Sequence, residues 1–183
     1  MKQFEHSKDF IEGWYIDTDL CDTIVSQAEQ DISVFRPSNR PYSLIDLGQF
    51  NYDLGEHYCR ELFKVLDAYK RLYPWCYSEL QKWGFTRPQI QRYNPGDYYN
   101  FPHCENDGRG EYVHRHLVFM TYLNDIKDGG GTEFIQQGLI TPAQKGLTVI
   151  WPAGWTHYHR GVVAPKEVKY IITGWCVFDS PKQ

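Results

Sequence analysis

The chain has 183 residues, 42 % of them hydrophobic, with a formal net charge of -4. That length suffices for one domain with a buried core, and mild acidity without any lysine or arginine run excludes the footprint of a nucleic-acid or membrane-surface binder. Five scattered cysteines, with no C-x-x-C pair, argue against a disulfide framework or a thiolate zinc site. The opening MKQFEHSKDFIEGW has no apolar h-region, and no apolar run approaches the length of a membrane span. The expectation is a soluble, monomeric protein in the reducing cytoplasm.

In chain order, residues 12 to 17 alternate like a short strand, and Asp19 caps a helix running to about residue 30. The stretch RPSNRPYS reads as turns. From Asp53 to about Lys82, Leu54, Tyr58, Leu62, Val65, Leu66, Tyr69 and Leu72 recur at three and four, an amphipathic helix interrupted or ended near Pro74. From residue 87 the texture becomes short alternating runs broken by Gly, Pro and Asn. Strands are expected at 88–93, 98–103, 116–123, 132–136, 145–151, 155–159 and 167–177. The layout is α+β and mostly β, with helices packed on one sheet of a C-terminal sandwich. It forms a single catalytic domain, 1–183, in which 1–86 is helical support and 87–178 the β core.

Three residues in the β part carry metal chemistry. His103 and Glu105 lie two apart, so on a strand their side chains share a face while Cys104 turns away. His159 comes at a strand end after LTVIWPAGW, and facing sheets bring such distant ends together. His157 competes for this role; the spacing to Lys169 and the H-R-G turn favour His159. Two histidines and one carboxylate are the ligand set of non-haem iron with open positions. Lys169 shares one face of the last strand with Ile171, Thr173 and Trp175, and a buried ammonium in an apolar run must have a partner. That partner is either a protein carboxylate or a ligand's.

Further text is ordered around these residues. It runs YNPG at Tyr93 to Gly96, then His103 and Glu105, then Arg115 leading into a strand that ends YLN at Tyr122 to Asn124. GGGTEF follows at Gly129 to Phe134, then a segment from Pro142 to Trp151 and Pro152, HRG at His159 and KYIITGW from Lys169. On these motifs the stretch from Gln89 to Phe178 resembles the 2-oxoglutarate- and Fe(II)-dependent dioxygenases, and among them the prolyl 4-hydroxylase-like branch.

The resemblance implies a double-stranded β-helix, a jelly roll. It makes His103, Glu105 and His159 the iron ligands and Lys169 the partner of the far carboxylate of 2-oxoglutarate, with Tyr122, Tyr93 and Thr173 beside that cosubstrate. It implies Fe(II), 2-oxoglutarate and dioxygen, with ascorbate in support, and hydroxylation of an unactivated C–H with succinate and carbon dioxide as co-products. Arg115 matches a family arginine near the peptide substrate. Tyr99, on an aromatic loop with Tyr98 and Phe101, and Trp175 are placed with it. The implied substrate is a proline-containing peptide or protein. One departure is that the family's usual aspartate ligand is here Glu105, one methylene longer. The alternatives are hydroxylation of a free amino acid or metabolite, and a non-catalytic metal-binding jelly roll, for which Lys169 would have no use.

Overall fold

The computed structural model describes residues 1–37, 39–78 and 82–178. Strand β1 (Glu12–Tyr15) leads into helix α1 (Thr18–Gln30), β2 (Arg36–Pro37) and β3 (Ser43–Asp46). The short α2 (Leu47–Phe50), the long α3 (Tyr52–Leu72) and β4 (Trp83–Phe85) follow. The C-terminal half holds β5 (Gln89–Tyr93), β6 (Arg115–Tyr122), β7 (Thr132–Phe134), β8 (Leu139–Thr141), β9 (Leu147–Pro152), β10 (His159–Gly161) and β11 (Lys169–Phe178). All pairings are antiparallel. The larger sheet runs β1-β9-β6-β11-β5-β3-β2 with β4 also on β11, and a smaller sheet, β10-β7-β8, faces it. This is the double-stranded β-helix, and no described helix is long and apolar enough to cross a membrane.

Period-two alternation assigns the two faces of the large sheet, except at a bulge where β6 begins. One face, carrying Leu117, Phe119, Ile150, Tyr170 and Ile172, is buried under Leu20, Ile24, Tyr58, Leu62, Val65, Leu66 and Tyr69 of α1 and α3. The other face, with Tyr93, Val118, Met120, Tyr122, Val149, Trp151 and Ile171, turns toward Phe134 of the small sheet. Strands covered on both faces read as near-continuous apolar runs, which is the texture of β6 and β9. The helices are thus braced on one side, and the space between the sheets is free for a site.

Several boundaries differ from expectation, each for a local reason. Helix α1 is capped by Asp17, whose carboxylate accepts from the Asp19 amide, and α3 by Asn51, which accepts from Leu54. Helix α3 stops at Leu72 because Pro74 cannot continue it, and part of the expected extension to Lys82, residues 79–81, lies outside the described residues. Residues 98–103 form no strand. Pro102 has no N–H to give a ladder, and only His103 bridges, exchanging backbone bonds of 3.0 and 2.9 Å with His159. The expected strand at 155–159 is a 3-10 turn at Trp155–His157, with β10 starting at His159. The first 86 residues are more than helices, since β1, β2, β3 and β4 all join the large sheet.

Candidate metal centre and cavity

His103 leaves an irregular loop, while His159 opens β10, and their backbone bridge brings the imidazole centroids to 4.4 Å. Glu105 follows on the same loop, its amide held by the Ala153 carbonyl at 3.0 Å and the next amide, of Asn106, by the same oxygen at 2.8 Å. The expected convergence therefore holds, although extended loop rather than regular strand delivers it. Glu105 Oε1 lies 3.4 Å from His103 Nε2 and 3.8 Å from His159 Nε2, and the three donor atoms all fall within 4.8 Å of one another.

The donor set fits a divalent ion on grounds independent of spacing. Each imidazole ties its Nδ1 to a main-chain carbonyl, His103 to Phe101 at 2.8 Å and His159 to His157 at 2.9 Å. Such a bond fixes the tautomer with the proton on Nδ1 and leaves Nε2 as a lone pair aimed at the shared space. Burial, above all, pushes the His159 imidazole down to about 4, so it is neutral at pH 7 as a ligand must be. Burial alone would lift the Glu105 carboxyl. The His103 and His159 imidazoles beside it, together with the Arg115 guanidinium, outweigh it and hold the group below the usual carboxylate range. His157 is elsewhere, with Nε2 at 2.7 Å from the Asp9 carbonyl and Nδ1 on Thr156, a packing role.

A cavity of about 320 Å³ opens from these ligands between the sheets. Lys169, Ile171, Thr173 and Trp175 line it from β11, as their shared face requires, with Tyr93, Met120, Tyr122 and Trp151 from neighbouring strands. The Lys169 ammonium is buried, sits 4.5 Å over the Tyr93 ring and donates to the Gly130 carbonyl at 3.2 Å. Among the described residues no carboxylate pairs with it, and burial pushes its amine down to about 8. Two glycines set that carbonyl in place. A Cβ on Gly129 would stand 2.0 Å from the Val163 carbonyl oxygen, and one on Gly131 2.0 Å from that of Thr141.

The other expected site residues line the same cavity with their hydrogen bonds already assigned. The Tyr122 hydroxyl meets those of Thr132 and Thr141 at 2.8 and 2.9 Å, Tyr93 donates to Gln91 at 2.8 Å, and Thr173 donates to the Phe119 carbonyl at 3.2 Å. Tyr99 stands at the rim, edge-on to His103, with the Arg40 guanidinium 4.9 Å from its ring. Arg115 and Trp175, placed with a substrate by the sequence, both spend an N–H on Glu105. Arg115 donates to Oε2 at 2.7 Å and Trp175 Nε1 to the same oxygen at 2.9 Å. Sequence reasoning missed Gln91, Trp151, Arg40 and Tyr42. Trp151 lay within the quoted motif text, and inward alternation on β9 is the signal that identifies it. Arg40 and Tyr42 arrive from a stretch read as turns.

The family model described as the 2OG-Fe(II) oxygenase superfamily matches residues 88–177, which hold all three clustered donors and Lys169. Procollagen-lysine,2-oxoglutarate 5-dioxygenase 1 of Bos taurus is 29 % identical over 144 residues, covering 75 % of this chain. The chain spans only 18 % of that relative's length. Among solved structures, the 2OG complex of a viral collagen prolyl hydroxylase from Paramecium Bursaria Chlorella virus-1 superposes with a TM-score of 0.70 at 16 % identity, covering 94 % of this chain and 97 % of that one. A prolyl-4-hydroxylase of Pseudomonas putida gives 0.71 at 17 %, covering 93 % of each. At such identities the likeness is one of fold. Residues 88–177 are a domain of the 2-oxoglutarate- and Fe(II)-dependent oxygenase superfamily. Membership implies Fe(II) and 2-oxoglutarate as its cofactor and cosubstrate.

Proposed function

We propose that the chain is a dioxygenase that hydroxylates an unactivated C–H of a peptide or protein side chain, with proline the favoured target. The observation that carries this reading is the pairing, in one cavity, of a His103, Glu105 and His159 donor cluster with a buried ammonium, Lys169, that has no carboxylate partner among the described residues. A metal site alone has no use for such a lysine, and a zinc hydrolase built on the same three ligands would leave it unexplained.

Iron, when bound with 2-oxoglutarate and dioxygen, supplies the oxidising power, releasing succinate and carbon dioxide. The chain does the rest. His103, Glu105 and His159 would hold the ion from one side. Lys169 would take the far carboxylate of 2-oxoglutarate, with Tyr93 beneath its ammonium and the Tyr122 and Thr132 hydroxyls as adjustable donors beside it. Val118, Met120, Trp151 and Ile171 line the cavity with apolar surface, which keeps water from the reacting centre.

The peptide reading is supported by the rim, where Tyr99, Tyr112, Arg40 and Arg109 line the mouth and Phe101 is 74 % exposed beside them. The names of the relatives, collagen prolyl hydroxylase and procollagen-lysine dioxygenase, point the same way. The second of these favours lysine as the alternative target. Five free cysteines accord with a reducing, cytoplasmic compartment. The test is incubation with proline- and lysine-containing peptides, Fe(II), ascorbate, dioxygen and 2-oxoglutarate. Gain of one oxygen on a proline peptide is expected. Succinate formed with no oxygen gained on any peptide would refute the peptide reading and favour a free metabolite.

A further inference from the structure

Glu105 is held by one oxygen only. Its Oε1 faces both imidazole Nε2 atoms, while Oε2 accepts from Arg115 Nη1 at 2.7 Å and from Trp175 Nε1 at 2.9 Å. Both donors are themselves fixed. The Arg115 guanidinium lies between two rings, 4.1 Å from that of Tyr112 and 3.7 Å from that of Trp175, and a second contact from Nη1 reaches the Glu105 main-chain carbonyl at 3.3 Å. Asn106 bonds the Arg115 and Val113 carbonyls at 3.0 and 3.1 Å, tying the start of β6 to the loop that carries Glu105.

Arg115 arrives there through a fault in the sheet. Along β6 and β11 the register pairs Trp175 with Val118 and Cys176 with Leu117, then skips to pair Val177 with Arg115. The extra residue, His116, makes a β-bulge. Plain alternation from Phe119 and Leu117 would turn Arg115 to the helix-covered face; the bulge turns it into the cavity and sends His116 outward to the Cys76 carbonyl.

We propose that Arg115 and Trp175 are positioning residues that clamp Oε2 and so compel Glu105 to ligate through Oε1 alone. The inference rests on the metal-centre reading above. Glutamate has one more rotatable bond than the family's aspartate, and with both oxygens free it can turn to chelate an ion through the pair. Chelation would occupy two positions, leaving two of six where the reaction needs three, for a bidentate 2-oxo acid and for dioxygen. The clamp removes Oε2 from that competition. It also draws charge from the carboxylate without protonating it, since a guanidinium donates a hydrogen bond and keeps its proton.

The experiment counts open positions rather than turnover. Wild-type protein, Trp175→Phe and Arg115→Met are loaded with Mn(II) in place of iron, and the relaxation of solvent protons by the bound ion is read with and without 2-oxoglutarate. Trp175→Phe keeps a ring beside Arg115 and deletes only the donor, so its fold is the safer. The wild type should show three exchangeable waters, falling to one with 2-oxoglutarate. In the variants the relaxivity of the Mn(II) form should fall by about a third, to two waters, and nearly vanish with 2-oxoglutarate, while Mn(II) binds as tightly or more so. Wild-type relaxivity in both variants would overturn the clamp, as would loss of Mn(II) binding from both, because the donors would then be needed for the carboxylate to bind at all. Absence of Mn(II) binding by the wild type would instead bring down the metal-centre reading, and the clamp with it.

Discussion

Replacing Lys169 with Met keeps an unbranched apolar stem and deletes the ammonium, and it should trade cosubstrate binding for stability. The Lys169 amine is depressed from its ordinary 10.5 to about 8 by burial. A folded-state value below the unfolded one means that the folded protein binds the proton less well, so the charged lysine opposes folding. The penalty is complete below about pH 8 and fades as pH rises toward 10.5, amounting to about 3 kcal/mol at pH 7. The contact with the Tyr93 ring and the bond to the Gly130 carbonyl return about 1–2 kcal/mol of that. The net gain in Lys169→Met is therefore about 1–2 kcal/mol, a rise in Tm of roughly 2–8 °C for a chain of this size. A ligand carboxylate deprived of its buried ammonium loses about 3–5 kcal/mol, from about a hundredfold to a few thousandfold in Kd. Thermal unfolding at pH 7 and pH 10, with calorimetric titration of 2-oxoglutarate into the Mn(II) form, measures both quantities. The wild type should gain stability between those pH values and the variant should not. A variant that melts below the wild type at pH 7, or binds 2-oxoglutarate within about threefold of it, would refute the reasoning.

The same amine sets a pH limit. Affinity for 2-oxoglutarate should be flat up to about pH 8 and then fall about tenfold per unit as the unliganded lysine loses its proton, with proton uptake on binding measurable by calorimetry in two buffers. His159→Ala should weaken Mn(II) binding by more than about a hundredfold, the most that a lost supporting hydrogen bond costs, while circular dichroism stays unchanged. Gly174→Ala should cost about 1–3 kcal/mol in urea unfolding, because the new methyl would stand 2.3 Å from a Phe119 ring carbon on the helix-covered face. Gly84→Ala, with nothing within 4 Å of its Cβ, is the control and should be near neutral.

Much of this was legible in the residues, because the large sheet is buried on both sides and inward alternation holds along most of it. The runs of β5, β6, β9 and β11 stand within two residues of their expected bounds. Lys169 is conspicuous for the same reason, as a cation on a face otherwise apolar down to Thr173. The short strands β2, β3 and β4 carry turn residues and little periodicity, so the strands that bring Arg40 and Tyr42 to the rim went unread. The loop bearing His103 and Glu105 looked like a strand because its residues alternate, yet Pro102 denies it a ladder. The meeting of Arg115 and Trp175 on Glu105 had no sequence signal at all. It depends on a one-residue bulge between strands 60 positions apart in the chain, and a bulge reverses the face that alternation assigns.

The central claim, that this cavity couples 2-oxoglutarate decarboxylation to hydroxylation through the three clustered ligands, is tested most directly with isotopically heavy dioxygen. Protein loaded with Fe(II) is given 2-oxoglutarate and a proline-containing peptide, and succinate and peptide are weighed by mass spectrometry. The account predicts succinate carrying one heavy oxygen and peptide carrying one, both lost in His159→Ala. No succinate above the His159→Ala background would contradict it.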